Sequence, residues 1–164
     1  MRNLVAEAKA QYKELIEKAV NEAIAAGELP EGEIPKFNIE IPADNKNGDL
    51  ASNVAMVSAK AFRKGPRQIA DAIVSHINLD GTYFEKAEVA GPGFLNVFYA
   101  PHWFAETVSA VLTEKDTYGT GNMGEGKKVM VEFVSANPTG PMHMGNARGG
   151  AIGDGLAEAM KWCG

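Results

Sequence analysis

The 164-residue sequence contains one cysteine, three histidines and no long apolar run. A single thiol cannot close an internal disulfide, and Cys163 has no neighbouring thiols with which to form a zinc site. No apolar stretch reaches the roughly 18 to 20 residues that a membrane span requires. The first ten residues resemble neither a secretory signal nor a transit peptide. We therefore expect a cytoplasmic protein without a resident metal or a membrane association.

The charge balance is acidic, with 16 Lys and Arg against 21 Asp and Glu and a net charge of -5. Nonspecific binders of nucleic acid usually carry an overall positive field, so this class is disfavoured, although a local basic patch is not. The hydrophobic content of 45% excludes a disordered chain, because it can bury enough apolar surface to offset the entropy of ordering.

Apolar periodicity predicts three helices and a strand in the first half of the chain. Asn3 is a suitable cap for a helix that ends at Gly27. Alternation over 37–41 predicts a half-buried strand. A second helix is predicted from Asp49, and a third begins at Pro66.

The segments 83–90 and 94–99 are rich in β-forming residues, and Gly-Pro-Gly separates them, which predicts an antiparallel hairpin. A fourth helix should run from Pro101 to about Lys115. Its large apolar residues are expected to cover the sheet, namely Trp103, Phe104, Val108, Val111 and Leu112. Residues 1–115 are thus predicted to form an α+β domain, with helices packed on a small antiparallel sheet.

Residues 116–126 hold four glycines without apolar periodicity and are interpreted as a flexible linker. Residues 127–164 then begin with an apolar run over 129–134, which is typical of a strand buried on both faces. A loop and a helix over about 147–162 follow. This order predicts the first strand-loop-helix unit of a Rossmann-like α/β domain.

Two phosphate-loop patterns in the linker are interpreted as coincidental. Gly119, Gly121 and Gly124 match G-x-G-x-x-G, and Gly121, Gly126 and Lys127 nearly match a Walker A sequence. Both patterns need a preceding strand and a following helix, whereas these glycines precede the strand.

The loop 135–146 is better placed, because ligands bind where the strands of an open α/β sheet end and helix N-termini attract phosphate. His143 could donate a hydrogen bond to a phosphate oxygen, and Gly145 has no Cβ to keep a planar base away from the backbone. The alternative for a single loop histidine is a solvated side chain. The grouping of polar and glycine residues favours a site, and its other members are Glu132, Ser135, Asn137, Pro138 and Thr139.

The stretch VEFVSANPTGPMHMGNARGGAIGD resembles the start of the catalytic domain of arginyl-tRNA synthetases, with HMGN at the HIGH signature of class I enzymes. GDLASNVAM (48–56) and VAGPGFLNV (89–97) resemble that family's N-terminal additional domain. One departure is Asn146, which stands where the signature has its second histidine. An amide can form hydrogen bonds but cannot carry a positive charge.

The resemblance implies ATP-dependent attachment of arginine to tRNA(Arg), assisted by Mg²⁺, in a monomeric parent enzyme. It implies catalytic roles for His143 and Asn146. The implied ATP-binding residues are Thr139, Gly140, His143, Gly145 and Asn146, and the implied arginine-binding residues are Glu132, Ser135 and Asn137. Too few residues follow the predicted strand to complete a nucleotide-binding domain. We therefore expect a fragment of a synthetase that is inactive alone.

In this family the additional domain contacts the tRNA D-loop, and an aromatic and a polar residue of its hairpin read an exposed base. Those positions match Phe94 and Asn96, although Phe94 could instead belong to the core. The densest cationic cluster could contact the tRNA or simply be a solvated helix end; it consists of Lys60, Arg63, Lys64 and Arg67. The competing functions are a free-standing RNA-binding module and a small nucleotidylyltransferase.

Overall fold

The computed structural model describes residues 3–164. The helices are α1 (Leu4–Ala25), α2 (Val54–Phe62), α3 (Pro66–His76), α4 (Pro101–Glu114) and α5 (Met144–Cys163). The strands are β1 (Ile39–Glu40), β2 (Leu50–Ser52), β3 (Phe84–Ala90) and β4 (Phe94–Tyr99). The chain divides into two compact units, one extending to Ala110 and the other comprising Val111–Gly164. Within 3–164, no helix combines the length and the hydropathy that a bilayer crossing requires.

Helix α1 follows the predicted pattern closely. The side chain of Asn3 accepts a hydrogen bond from the Ala6 amide at 3.0 Å, which caps the first turn. The inward face recurs at three- and four-residue steps and is buried; it consists of Leu4, Ala8, Tyr12, Ile16, Ala19, Val20 and Ala23. The predicted cap and the predicted helix are both confirmed.

The four strands form one antiparallel sheet in the order β1-β2-β4-β3. The predicted hairpin is confirmed as β3 and β4, which Gly91, Pro92 and Gly93 connect. Strand β4 is paired on both sides over Leu95–Val97, so its central backbone is fixed by both neighbours. Its residues Leu95 and Val97 are buried in the core with side chains of α1, α2 and α3. Successive side chains of a strand alternate between faces, so the residues between them lie on the opposite face of the sheet.

Tyr12 joins α1 to the central strand. Its hydroxyl donates a hydrogen bond to the Leu95 carbonyl oxygen at 2.9 Å, and its ring lies 5.5 Å from that of Phe84. Burial raises the pKa of Tyr12 far above its ordinary value, so the hydroxyl remains a neutral donor.

The predicted start of the second helix at Asp49 was wrong. Residues Leu50–Ser52 form β2, which pairs with Val97, Asn96 and Leu95 of β4, and the helix begins at Val54. The three residues Leu50–Ser52 are compatible with a strand or with the start of a helix. The free edge of β4 decides between them, because it satisfies backbone groups that a helix start would leave without partners.

The predicted covering face of α4 was also largely wrong. Trp103 is buried, stacks on Tyr99 with ring centroids 3.9 Å apart, and donates its indole N–H to the Leu4 carbonyl at 3.4 Å. This contact turns the other apolar residues outward. The exposed residues are Phe104, Val108, Val111 and Leu112.

The predicted strand over 129–134 is not formed, and residues 127–137 have no regular secondary structure. A strand buried on both faces needs neighbouring strands for its backbone groups, and all sheet strands of the described residues lie in the other unit. Side chains of this run are therefore exposed, including Val129 and Met130. The helix predicted over 147–162 is confirmed as α5, which begins three residues earlier.

Replacing Tyr12 with Phe should lower the free energy of unfolding by about 1 to 3 kcal/mol, because the Leu95 carbonyl would remain buried without its donor. Urea denaturation of the 164-residue chain measures this difference. Tyr118→Phe is the control, since no described residue hydrogen-bonds to that hydroxyl. Equal stability of Tyr12→Phe and the unaltered chain would show that this bond does not hold α1 to β4.

Candidate functional site

The face of the sheet opposite the core carries a row of polar side chains. The strand register places Glu40 opposite Ala51, Ala51 opposite Asn96, and Asn96 opposite Glu88. Directly paired residues in antiparallel strands project to the same side. Phe94 lies two residues before Asn96 on β4 and therefore shares this face.

A cavity of about 360 Å³ opens over this row. One wall is the loop between β1 and β2, and the other is the turn that joins β3 to β4. The lining residues that matter chemically are Glu40, Asn47, Gly91, Phe94 and Asn96. The structure thus brings the predicted pair, Phe94 and Asn96, to a single concave site.

Asn96 is buried to 2% exposure, and its Oδ1 has no hydrogen-bond partner in the described part of the chain. A buried amide oxygen without a donor is costly, and most such groups in native proteins are satisfied. Phe94, which is half-buried, presents an aromatic ring to the same cavity. The arrangement suits a planar ligand that can stack on a ring and hydrogen-bond to an amide.

Sequence reasoning missed the other wall of the cavity, which includes Glu40 and Asn47. The place of the loop 44–48 beside β4 depends on the strand pairing, which is a long-range feature. Gly48 has a φ of 85°, and a Cβ there would lie 2.7 Å from the Val97 carbonyl oxygen. Gly48 is the sequence feature that indicates this arrangement, because a glycine permits the loop to approach β4 closely.

The predicted cationic cluster lies at the corner between α2 and α3. Lys64 contacts the Glu28 carbonyl through its ammonium group, and Arg67 Nη1 donates to the Gly91 carbonyl at 3.2 Å. Lys60 and Arg63 are exposed, and no hydrogen bond or ion pair within residues 3–164 engages them. Two of the four cations are therefore already bound to backbone carbonyls.

At the N-terminus of α5, His143 and Asn146 form a reciprocal cap. His143 Nδ1 accepts from the Gly145 amide at 3.0 Å, and Asn146 Oδ1 accepts from the His143 amide at 3.1 Å. Because Nδ1 is the acceptor, a neutral imidazole here carries its proton on Nε2, which is a donor. The structure thus brings His143, Gly145 and Asn146 together, and the amide of Asn146 has a capping role.

The other residues predicted to bind ATP and arginine do not lie on a helix or a strand. Thr139 and Gly140 lie in an exposed bend, and the Thr139 amide donates to the Asn137 carbonyl at 2.8 Å. Glu132 and Ser135 are exposed on the irregular segment before it.

Comparison with known families decides the relationship. A family profile described as the arginyl-tRNA synthetase N-terminal domain matches residues 10–99, which is more than half of the chain. The chain belongs to the arginyl-tRNA synthetase family.

Curated relatives extend the similarity over the whole chain. The chain is 49% identical over 164 residues to the arginine–tRNA ligase of Ruminiclostridium cellulolyticum and 50% identical to that of Caldanaerobacter subterraneus. The match includes 100% of this chain but only 29% of the length of each relative. Among solved structures, arginyl-tRNA synthetase from Plasmodium falciparum matches with a TM-score of 0.57 at 20% identity, over 94% of this chain and 28% of that one. That likeness supports the fold.

Glycines of α5 receive the side chains of the irregular segment in the second unit. Gly153 is buried, and a Cβ there would overlap the Cβ and Cγ atoms of Phe133. A Cβ on Gly150 would lie 3.1 Å from Val134 Cγ2. Phe133 and Val134 thus pack on α5 rather than lying in the predicted strand.

Gly153→Ala should displace Phe133 from α5, because the overlap involves the ring attachment rather than a flexible tip. Gly155→Ala is the matched control, since nothing lies within 4 Å of its added Cβ. The control should stabilise the helix by about 1 kcal/mol. Thermal unfolding followed by circular dichroism compares the two. Equal stabilisation by both substitutions would show that Phe133 does not pack on Gly153.

Proposed function

We propose that this chain is the N-terminal part of an arginine–tRNA ligase, and that its first unit binds the D-loop of tRNA(Arg). The observation that carries this proposal is the buried Asn96 amide oxygen, which has no hydrogen-bond partner within residues 3–164 and lies beside Phe94 in one cavity. RNA is commonly recognised through unpaired bases that stack on aromatic rings and hydrogen-bond through their edges. Membership of the family supports this choice of RNA.

The cavity accounts for how a base would be selected. A base stacked on Phe94 would hydrogen-bond through its edge to the amide of Asn96, whose Oδ1 has no donor among the described residues. The carboxylate of Glu40 on the wall disfavours phosphate inside the cavity, since like charges repel. The phosphates of the D-loop are therefore expected to lie outside it.

Lys60 and Arg63 are the proposed phosphate contacts. If all four cations of the cluster contacted single-stranded phosphates, the log-log salt slope of binding would be about -3. With Lys60 and Arg63 alone it would be about -1.4. Arg63 caps α2 with a left-handed φ of 50°, a conformation in which glycine is favoured. The presence of an arginine at this backbone position is consistent with a role for its side chain.

The second unit carries the proposed beginning of the catalytic site. In the parent enzyme the arginine carboxylate would attack the α-phosphorus of ATP and release pyrophosphate, and the arginyl group would then pass to the terminal ribose of the tRNA. The Nε2–H of His143 is suited to donate to a phosphate oxygen, and Gly145 permits close approach of the adenine. Thr139, Gly140 and Asn146 remain proposed ATP contacts.

Glu132, Ser135 and Asn137 are the proposed contacts to the ammonium group and backbone of arginine. In the described residues, no group of three or more His, Cys, Asp and Glu side chains is arranged to hold a metal. We propose that Mg²⁺ binds the phosphates of ATP. These roles require a sheet edge that a longer chain would complete.

The 164-residue chain alone should not catalyse exchange of pyrophosphate into ATP in the presence of arginine and tRNA(Arg). The reason is that the segment 129–134, which would orient the loop, is exposed and irregular. The assay measures radioactive ATP formed from labelled pyrophosphate. Turnover that depends on arginine would contradict the proposal that the site is incomplete.

Asn96→Leu tests the base-binding cavity. It keeps the side-chain volume and removes an acceptor that no described residue engages, so stability should be unchanged or higher. Binding of tRNA(Arg), measured by fluorescence anisotropy, should weaken, and Phe94→Ala should cost about 1 to 3 kcal/mol of binding. Asn21→Ala on the exposed side of α1 is the control. Unchanged binding by both cavity variants would exclude this surface as the RNA site.

A further inference from the structure

Arg67 differs from its neighbours in the cationic cluster because it reaches the hairpin. Its Nη1 donates to the carbonyl oxygen of Gly91, in the turn that walls the cavity. No carboxylate of the described residues pairs with Arg67. The contact therefore joins the first turn of α3 to one side of the proposed base site.

A second contact lies beside the first. Gly93 has a φ of 134°, and a Cβ there would lie 3.0 Å from three atoms of Pro66. The turn thus rests on the residue that precedes Arg67. The Gly93 amide also donates to the Ala90 carbonyl at 3.2 Å, which closes the turn itself.

The helix that carries Arg67 is a rigid support. Pro66 begins α3 with a fixed φ, and Gln68 Oε1 accepts from the Gly65 amide at 3.3 Å. A cation in the first turn of a helix interacts unfavourably with the helix dipole, so the charge of Arg67 does not favour α3. Its side chain instead hydrogen-bonds to the turn between β3 and β4.

We propose that Arg67 is a positioning residue, which holds the turn between β3 and β4 and so fixes the wall of the cavity against which the base binds. This inference rests on the proposed function of the cavity. It replaces the expectation that Arg67 contacts a phosphate. A guanidinium that contacts the turn and no phosphate releases no counterions from RNA, so the two roles differ in their salt dependence.

The test compares Arg67→Met with Arg63→Met in the complete 164-residue chain. Each variant is titrated with tRNA(Arg) and with the same tRNA lacking the base at the exposed D-loop position, over a range of salt concentrations. Hydrogen exchange of the Gly93 amide is measured in the free protein, with amides of α1 as an internal reference.

Arg67→Met should reduce the preference for the intact tRNA about fivefold, the effect of one ordinary hydrogen bond. It should accelerate exchange at Gly93 by a similar factor and leave the salt slope unchanged. Arg63→Met should do the opposite, reducing the magnitude of the slope by about 0.7 and preserving the preference.

A smaller slope with an unchanged preference in Arg67→Met would overturn the positioning role and make Arg67 a phosphate ligand. Unchanged exchange at Gly93 would also overturn it. Equal affinity of the unaltered chain for both tRNAs would instead contradict the proposed function of the cavity. The exchange measurement tests the contact between Arg67 and the turn without RNA, so the two failures are distinguishable.

Discussion

The alternation of side chains along β4 is the constraint on which the rest of the first unit depends. Because β2 and β3 pair with both edges of this strand, it cannot rotate or slip without breaking two ladders. Leu95 and Val97 must then face the helices, and the Tyr12 hydroxyl holds the strand at that position. Asn96 is consequently committed to the opposite face, where none of the residues that the structure describes donates to its Oδ1.

Local chemistry in the sequence was sufficient for much of this fold. The Gly-Pro-Gly turn predicted the hairpin, and the cap at Asn3 and Pro66 at the start of α3 predicted two helix boundaries. Local chemistry was insufficient where strand pairing determines the structure. Three residues at Leu50–Ser52 fit a strand or a helix, and only the open edge of β4 selects the strand. The cavity depends on the same long-range register. Phe94 and Asn96 were proposed through the resemblance to the family, and nothing in the sequence pointed to Asn47.

The second unit shows that an apolar run does not form a strand by its composition alone. A run such as 129–134 is apolar enough for a buried strand, yet a strand forms only where neighbours accept its backbone hydrogen bonds. In this chain the run instead places Phe133 against Gly153 of α5. The helix itself needs no such partners, because His143 and Asn146 cap its first turn. Asn146 is thus explained by local geometry at a position where the family signature has histidine.

The central claim is that Asn96 receives a base of the tRNA D-loop. Nuclear magnetic resonance of the Asn96 side-chain amide and the Phe94 ring, during titration with an isolated D-arm hairpin of tRNA(Arg), tests this most directly. The account predicts that both signals shift together and saturate with the hairpin, while amides of α5 remain unchanged. Saturable binding that leaves Asn96 and Phe94 unshifted would contradict it.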